Sequence, residues 1–339
     1  MLFTFTKKTD ETLTKLTYSK MASIENIKVS KGGFELDCEL KKFPVSFVNA
    51  LRRTTLSSIP TVVVRDVKIF ENTTQLPHEM LKHRMEMLPI NVAPSDSATI
   101  KDTKITIHVS AESDRIITTD DFAVQSSHSS ILLKDKDLNT TLLFLKMRKG
   151  EKVRIEARLA LENEQVSQVC TATTGWHIDP ELAKTSRKEY AETGGDIRVF
   201  DNFLIQREYS RDERGRPDWF DFKIESVGVL KSKDILKLAV QIVRKQVDEY
   251  MKEAITNIQK ENDKDTYSIS LEQGGHTIGY LMQEVIYGDA NVNFVSYDIP
   301  HPLKKTMVLR INTSKKAETV LKTAQETIEE YCSVVEKGL

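Results

Sequence analysis

The side chains best suited to metal chemistry are two histidines within one predicted helix. His78-Glu79 and His83 approximate the spacing of a zinc-protease motif. That motif needs histidines at positions i and i+4 so that both imidazoles lie on one helix face. Here the second histidine stands at i+5, which disfavours a metal site and indicates a helix surface or an interface.

Other catalytic constellations are missing from the sequence. It contains neither a phosphate-binding glycine loop, nor a dinucleotide fingerprint, nor a nucleophile elbow. Asp120-Asp121 has no partner motif and indicates a loop, and His177 beside Trp176 indicates a local hydrogen-bonded pair. The residue pattern therefore predicts no active site.

The adjacent arginines Arg52 and Arg53 are the most informative charged residues. They fall on a predicted helix with an apolar opposite face, which begins near Pro44, takes Ser46 as a cap and ends at Pro60. Their forked donors suit the carboxylates or backbone of a protein partner. The pattern alone leaves open whether they bind such a partner or form a solvated helix face.

Composition limits the class of protein. The 339 residues suggest two domains. With 49 Lys+Arg and 50 Asp+Glu the net charge is -1, which argues against a main role in neutralising nucleic-acid phosphates. Three scattered cysteines (Cys38, Cys170 and Cys332) favour a reducing compartment over a disulfide framework. We expect an intracellular protein with no membrane contact, no metal and no cofactor, preceded by a flexible tail over residues 1–22.

Helical periodicity is strongest in two long stretches. One begins near Ser232 and carries an apolar stripe for over six turns, and the other closes the chain from Ala317. The last 75 residues read as strand, helix, strand, strand, helix. A helix with a single narrow apolar stripe packs against another helix. The predicted internal interface comprises Ile235, Ala239, Ile242, Tyr250, Ile278, Leu281, Val320, Leu321, Ala324 and Ile328.

The order of elements indicates a weak internal repeat. A shift of 230 positions places Phe47–Leu51 over Thr277–Leu281. Two such halves suggest a pseudo-two-fold pair in which each half covers the apolar face of the other. The predicted fold class is α+β, with two alpha-like units paired within one chain and an inserted β-rich domain.

The predicted domain boundaries follow changes in composition. The first unit is discontinuous in sequence, and the second unit closes the chain. A charged loop near the end of the insert is interpreted as a solvated connector. The segments are 23–95 with 218–260 for the first unit, 96–217 for the insert, 264–339 for the second unit, Gln259–Asp265 for the linker and Gln206–Asp218 for the charged loop.

Two parts of the chain carry a family resemblance. The segment from Phe43 to Ile90 resembles the alpha-type signature of cellular RNA polymerase assembly subunits, which include the bacterial alpha N-terminal domain, the archaeal D subunit and the third-largest subunit of polymerase II. The segment from His276 to Leu303 resembles their small partner, archaeal L or the eleventh subunit of polymerase II. The matching residues are Asn49–Arg53, Ile59–Thr61, Asn72-Thr73, Glu79, His83-Arg84, Leu88–Ile90 and the run Pro300–Leu303; Lys146–Ala160 and Phe222–Leu230 resemble the family's strand pair and return strand.

The resemblance implies a non-catalytic assembly platform. In the family the two partners form a heterodimer that assembles with the two largest catalytic subunits, and here both are similar to parts of one chain. The implied partners are those two subunits and other small polymerase subunits, with one copy of the chain per polymerase and DNA or RNA contacted only indirectly. The positions that match the family signature imply that a large subunit contacts Arg52, Arg53, Glu79, His83 and Arg84.

The fusion itself is similar to those of large DNA viruses. This implies a viral polymerase subunit in the host cytoplasm, at a viral factory, or in the virion, with the host nucleus as an alternative. The chain departs from the small-partner pattern at Gly275 and Tyr280, and its insert lacks the cysteine cluster of some relatives. Two other hypotheses are a stand-alone nucleic-acid-binding module and, less favoured, an unrecognised enzyme.

Overall fold

The computed structural model describes residues 3–6, 21–126, 130–162, 169–261, 265–272, 275–301, 303–304 and 306–339. The strands are β1 (Phe3–Thr6), β2 (Ser23–Ser30), β3 (Glu35–Lys41), β4 (Thr61–Asn72), β5 (Lys104–Ser110), β6 (Arg115–Thr118), β7 (Ala123–Gln125), β8 (Leu143–Met147), β9 (Lys152–Glu162), β10 (Cys170–Trp176), β11 (Trp219–Ser226), β12 (Ile258–Lys260), β13 (Thr266–Leu271), β14 (Val292–Asp298) and β15 (Met307–Thr313).

The main helices are α1 (Val45–Ser57), α2 (His78–Glu86), α3 (Ser97–Asp102), α4 (Pro180–Glu192), α5 (Ser232–Thr256), α6 (His276–Tyr287) and α7 (Ala317–Gly338). Short helical turns also occupy Lys31–Gly33, Thr119–Asp121 and the stretch from Ile197 to Arg207. Within the described part of the chain, no helix is both long enough and apolar enough to cross a membrane.

Two antiparallel sheets repeat one topology. The first has the strand order β10-β11-β3-β2, and the second has β1-β14-β15-β13-β12. Along the chain, the first unit runs β2-β3-α1-β10-β11-α5 and the second runs β12-β13-α6-β14-β15-α7. The two strand orders therefore match position by position, with β1 added at one edge of the second sheet. The strand-helix-strand-strand-helix order predicted for the last 75 residues is found here.

One hydrophobic core joins these two units. Helix α5 contacts α7, and α1 contacts α6, while each helix also packs within its own unit. The core continues across the boundary through aromatic rings: the Tyr331 ring of the second unit lies 5.5 Å from Phe43 and 5.4 Å from Phe47 of the first, centroid to centroid. Both phenylalanines are fully buried. Since burying such side chains is the largest favourable contribution to folding, the units stabilise each other.

Gly279 allows the close approach of α6 to its sheet. A Cβ atom at this position would lie 2.7 Å from the Met307 sulfur and 2.9 Å from the ring of Tyr297. Both neighbours belong to strands of the second sheet. A larger residue would therefore push the helix away from the shared core.

A second core lies outside the repeat. Strand β4 pairs with β9, β9 pairs with β5, and helix α2 packs on β4. Its fully buried members include Val64, Leu81, Met85, Ile105 and Ile155. The chain therefore leaves the first unit directly after α1. The composition predicted this departure at residue 96, and that boundary is wrong.

The predicted insert also ends in the wrong place. Strand β10 lies inside the predicted 96–217 segment, yet it pairs with β11 and completes the first sheet. A second excursion, residues 177–218 with α4, then separates β10 from β11. Strand β10 was missed because it is threonine-rich, and only Cys170 and Ala172 bury apolar side chains there.

Part of the predicted flexible tail forms a strand. Phe3–Thr6 pairs antiparallel with β14, at the outer edge of the second sheet. Added strands of this kind cover the unpaired backbone groups of a sheet edge. The rest of the tail up to residue 20 lies outside the described residues.

Replacement of Leu321 tests the shared core. This side chain is fully buried on α7, so Leu321→Ala is expected to lower the free energy of unfolding by about 2–5 kcal/mol. The neighbouring Lys322→Ala, at an exposed position, is the control, with an expected change within about 0.5 kcal/mol. Urea denaturation measures both, and equal effects would contradict the packing of α7.

Candidate protein-interaction site

The carboxylate of Glu284, in the second unit, caps the N-terminus of helix α1 in the first unit. Helix α1 begins after Pro44, whose extended backbone suits the position before a helix. The backbone N–H of Ser46 donates to the Glu284 carboxylate at 3.0 Å. A negative charge is favourable at this end of a helix because the free N–H groups carry partial positive charge. The predicted cap, the Ser46 hydroxyl, is instead buried without a hydrogen-bond partner.

The charged loop 206–218 supplies the counter-ion for this carboxylate. Glu284 is 4% exposed, and the guanidinium of Arg216 donates to it directly. Arg216 also donates to Asp212 at 3.2 Å, within the loop. At the end of the loop, Lys42 binds Asp218 at 2.6 Å. The prediction of a solvated connector is therefore wrong at Arg216 and Asp218, which bind Glu284 of the second unit and Lys42 of the first, while residues 213–215 just before them are exposed.

Polar pairs also link the two long helices. Arg244 on α5 donates to Glu329 at 2.7 Å and to Glu336 at 3.1 Å, both on α7. These two carboxylates raise the pKa of the Arg244 guanidinium above its already high ordinary value. Gln325 on α7 donates to Asp248 on α5 at 2.7 Å. Directional pairs of this kind fix the register of the helices along each other, beyond what apolar packing specifies.

The residues predicted for an internal interface lie on helices of the two units that contact each other. Nine of the ten are buried, and Ile242 is half-buried against the shared core. They are carried by α5, α6 and α7. The stripe on α5 is wider than predicted, because Leu236, Val240 and Val243 are also fully buried.

The residues predicted to contact a large partner fall on two helices with different surroundings. Arg52 on α1 is half-buried and donates twice to Asn49 of its own helix, at 2.9 and 3.2 Å. Arg53 is exposed and donates to Thr277 of the second unit at 2.8 Å. Its guanidinium thus lies at the surface where the two units meet.

The remaining predicted contacts lie on α2, against the second core. Glu79 and His83 are exposed. Arg84 is half-buried, and its Nε donates to the backbone carbonyl of Phe144 at 2.6 Å. This bond ties α2 to β8, so Arg84 already has a structural partner. The structure groups Arg52 with Arg53 and, separately, Glu79 with His83 and Arg84.

Sequence reasoning missed Glu284 and Arg216. Their hydrogen bonds join residues 68 and 238 positions apart in the chain, which no local pattern shows. One signal was present: Glu284 is the one charged side chain in the run Ile278–Ile286, which is mostly apolar apart from Gln283. A carboxylate on a buried helix face indicates a partner elsewhere in the fold.

Two sheets of one topology, joined through a shared helical core, define a dimerisation-type scaffold. The model of the RNA polymerase Rpb3/Rpb11 dimerisation domain matches residues 38–247, and a second model of the same description matches residues 266–338. The chain belongs to this RNA polymerase dimerisation-domain family. A dimerisation domain agrees with the prediction that the chain is not itself an enzyme.

Several relatives are subunits of RNA polymerases. DNA-directed RNA polymerase subunit Rpo3 of Pyrococcus furiosus is 24% identical over 262 residues, covering 69% of this chain and 98% of the relative. Subunit rpac1 of RNA polymerases I and III of Dictyostelium discoideum is 29% identical over 276 residues, covering 64% and 79%. A conjugation stage-specific protein of Tetrahymena thermophila is 23% identical over 300 residues, covering 68% and 96%.

Removal of Arg216 tests the capping network. Arg216→Ala leaves the buried Glu284 carboxylate without its counter-ion, so a loss of about 3–5 kcal/mol in unfolding free energy is expected. Adding Glu284→Gln removes the unpaired charge, and the double variant should be more stable than Arg216→Ala alone. Urea denaturation of both variants measures these differences.

Arg187→Ala is the matched control for this network. Arg187 pairs with Asp201, and both side chains are about half exposed, at 47% and 45%. Exposed pairs contribute about 0–1 kcal/mol. An Arg216→Ala effect no larger than that of Arg187→Ala would show that the Glu284 network does not stabilise the junction between the units.

Proposed function

We propose that the chain is a non-catalytic assembly-platform subunit of a DNA-directed RNA polymerase, with an Rpb3-type and an Rpb11-type unit paired as an intramolecular heterodimer. The observation that carries the proposal is the continuous core between the units, which includes Phe43, Phe47 and Tyr331. Two matches to dimerisation-domain models within one chain support it. Its relatives include polymerase subunits of archaeal and eukaryotic type.

The proposal includes a pseudo-two-fold relation between the units. Helices α5 and α7 hold the same place in their units and contact each other, as do α1 and α6. Contacts between equivalent elements are what a two-fold axis requires. In this description the second core and the 177–218 excursion are additions to the first unit, and Arg216 of the excursion contributes to the junction through Glu284.

The proposed contact surface for the largest polymerase subunits is centred on Arg53. The Arg53 side chain is exposed, and its bond to Thr277 holds it at the junction of the units. Arg52 is its neighbour on α1, and Glu79, His83 and Arg84 are the secondary candidates on α2. The forked donors of arginine suit carboxylates of a partner. A surface of this kind would exist only when the two units are paired.

The fused arrangement is the basis for two further parts of the proposal. We propose a large DNA virus as the source, and the host cytoplasm or the virion as the location, with the host nucleus as the alternative. The proposed partners are the two largest subunits and other small subunits of the same polymerase, with one copy of this chain in each complex.

Native mass spectrometry of the polymerase purified through this chain tests the proposed function. We expect the two largest subunits to be present with a single copy of this chain, and we expect no separate small partner subunit. Large subunits that assemble equally well when this chain is omitted would overturn the platform. A second, separate Rpb11-type subunit in the complex would overturn the intramolecular pairing.

The double variant Arg52→Ala/Arg53→Ala tests the contact surface. We expect its affinity for the large subunits to fall at least tenfold, about 1.4 kcal/mol, because exposed donors are lost. The melting temperature should stay close to that of the unmodified chain, since no core volume is removed. Lys237→Ala/Lys245→Ala, which removes two exposed cations of α5, is the control for net charge. Equal binding by both double variants would contradict the assignment.

A further inference from the structure

The outer face of the first sheet carries a group of metal-ligating side chains that the polymerase role does not use. Glu39 on β3 and Asp221 on β11 stand directly opposite each other on neighbouring strands. His177 follows the end of β10. Ligand atoms of these three residues all lie within 4.8 Å of one another. In the described part of the chain, no other group of three or more such side chains comes this close together.

Existing hydrogen bonds hold the three side chains in place. The His177 Nδ1 lies 2.7 Å from Asp221 Oδ1. The Glu39 carboxylate accepts from the indole N–H of Trp219 at 3.1 Å and from Asn26 at 2.8 Å. Each carboxylate oxygen has two acceptor positions and uses one in these bonds, so each Glu39 oxygen keeps one position for another ligand. The triad is thus largely positioned before any ion arrives.

The charge pattern of this sheet face indicates a cation at the triad. Like charges directly opposite each other on paired strands are destabilising. The neighbouring pair Glu35 and Glu225 has the same sign, yet Lys31 lies 3.8 Å from one carboxylate and 3.3 Å from the other. Among the described residues, no lysine or arginine forms an ion pair with Glu39 or Asp221.

We propose that Glu39, His177 and Asp221 form a binding site for a divalent ion of the zinc class. One imidazole nitrogen and two carboxylate oxygens are ligands that Zn²⁺ accepts, with water in the fourth position. Tetrahedral bonds of about 2.1 Å place ligand atoms about 3.4 Å apart. The distance between His177 Nδ1 and Asp221 Oδ1 would therefore have to grow from 2.7 Å to about 3.4 Å. The Asp221 side chain is 58% exposed, so it has room to rotate away from His177.

Trp219 supplies an optical signal for binding at this site. Its ring stacks on His177, with 4.2 Å between the centroids, and its N–H binds Glu39. An ion held by both ligands would change the surroundings of this indole. The chain has two tryptophans, so the measurement is made with Trp176→Phe as the background to isolate Trp219.

Titration of the full chain with ZnCl₂, after removal of metals by a chelator, tests the proposal. Calorimetry should show one ion bound per chain with an affinity in the micromolar range, and the Trp219 fluorescence should change at the same midpoint. Asp221→Asn and His177→Ala should each weaken binding at least tenfold.

Asp37→Asn is the matched control, because Asp37 lies on the same strand and face as Glu39 but opposite Lys223. Its binding should equal that of the unmodified chain. Asp221→Asn keeps the shape of an exposed side chain, so the melting temperature of this variant without metal should equal that of the unmodified chain. Glu39→Gln is a third variant that should weaken binding. The proposal is overturned if the chain shows no saturable binding, or if Asp221→Asn and Glu39→Gln bind Zn²⁺ as tightly as Asp37→Asn.

Discussion

The packing of α5 and α1 against α7 and α6 is the interaction on which the rest of the structure depends. Each unit has a four-stranded antiparallel sheet, extended by β1 in the second unit, and two helices whose apolar faces are buried against the helices of the other unit. Pairing buries Phe43 and Phe47 against Tyr331 and closes both faces at once. The two units follow each other closely in the chain, since α5 ends at Thr256 and β12 begins at Ile258, so the second unit is always present at high effective concentration.

Polar contacts specify how the two apolar faces meet. A hydrophobic surface alone permits sliding, whereas Glu284 must reach the N-terminus of α1 and Arg216 together. The loop 212–218 is therefore part of the junction, although it belongs to an excursion from the first unit. The exposed Arg53 is placed by the same junction, through Thr277. Correct pairing and the proposed partner surface consequently depend on one set of contacts.

The sequence predicted those features that repeat over short distances. The apolar stripe of α5 and the five elements of the second unit follow from periodicity, and both are found. Features that depend on distant partners could not be read in this way. Strand β4 looked like part of the first unit because its partner β9 lies some 90 positions later. The role of Arg216 was hidden for the same reason, since its carboxylate is on α6.

Cleavage of the folded chain within the linker tests the central claim most directly. A protease site introduced between Lys260 and Thr266 would cut the chain after β12, so that all of the second unit from β13 onward becomes a separate fragment, and would leave the shared core intact. If the shared core holds them, together with the β1–β14 and β12–β13 strand pairs, both fragments should elute together at micromolar concentration and separate only in denaturant. Fragments that separate in native buffer after cleavage would contradict the pairing, and with it the platform built on it.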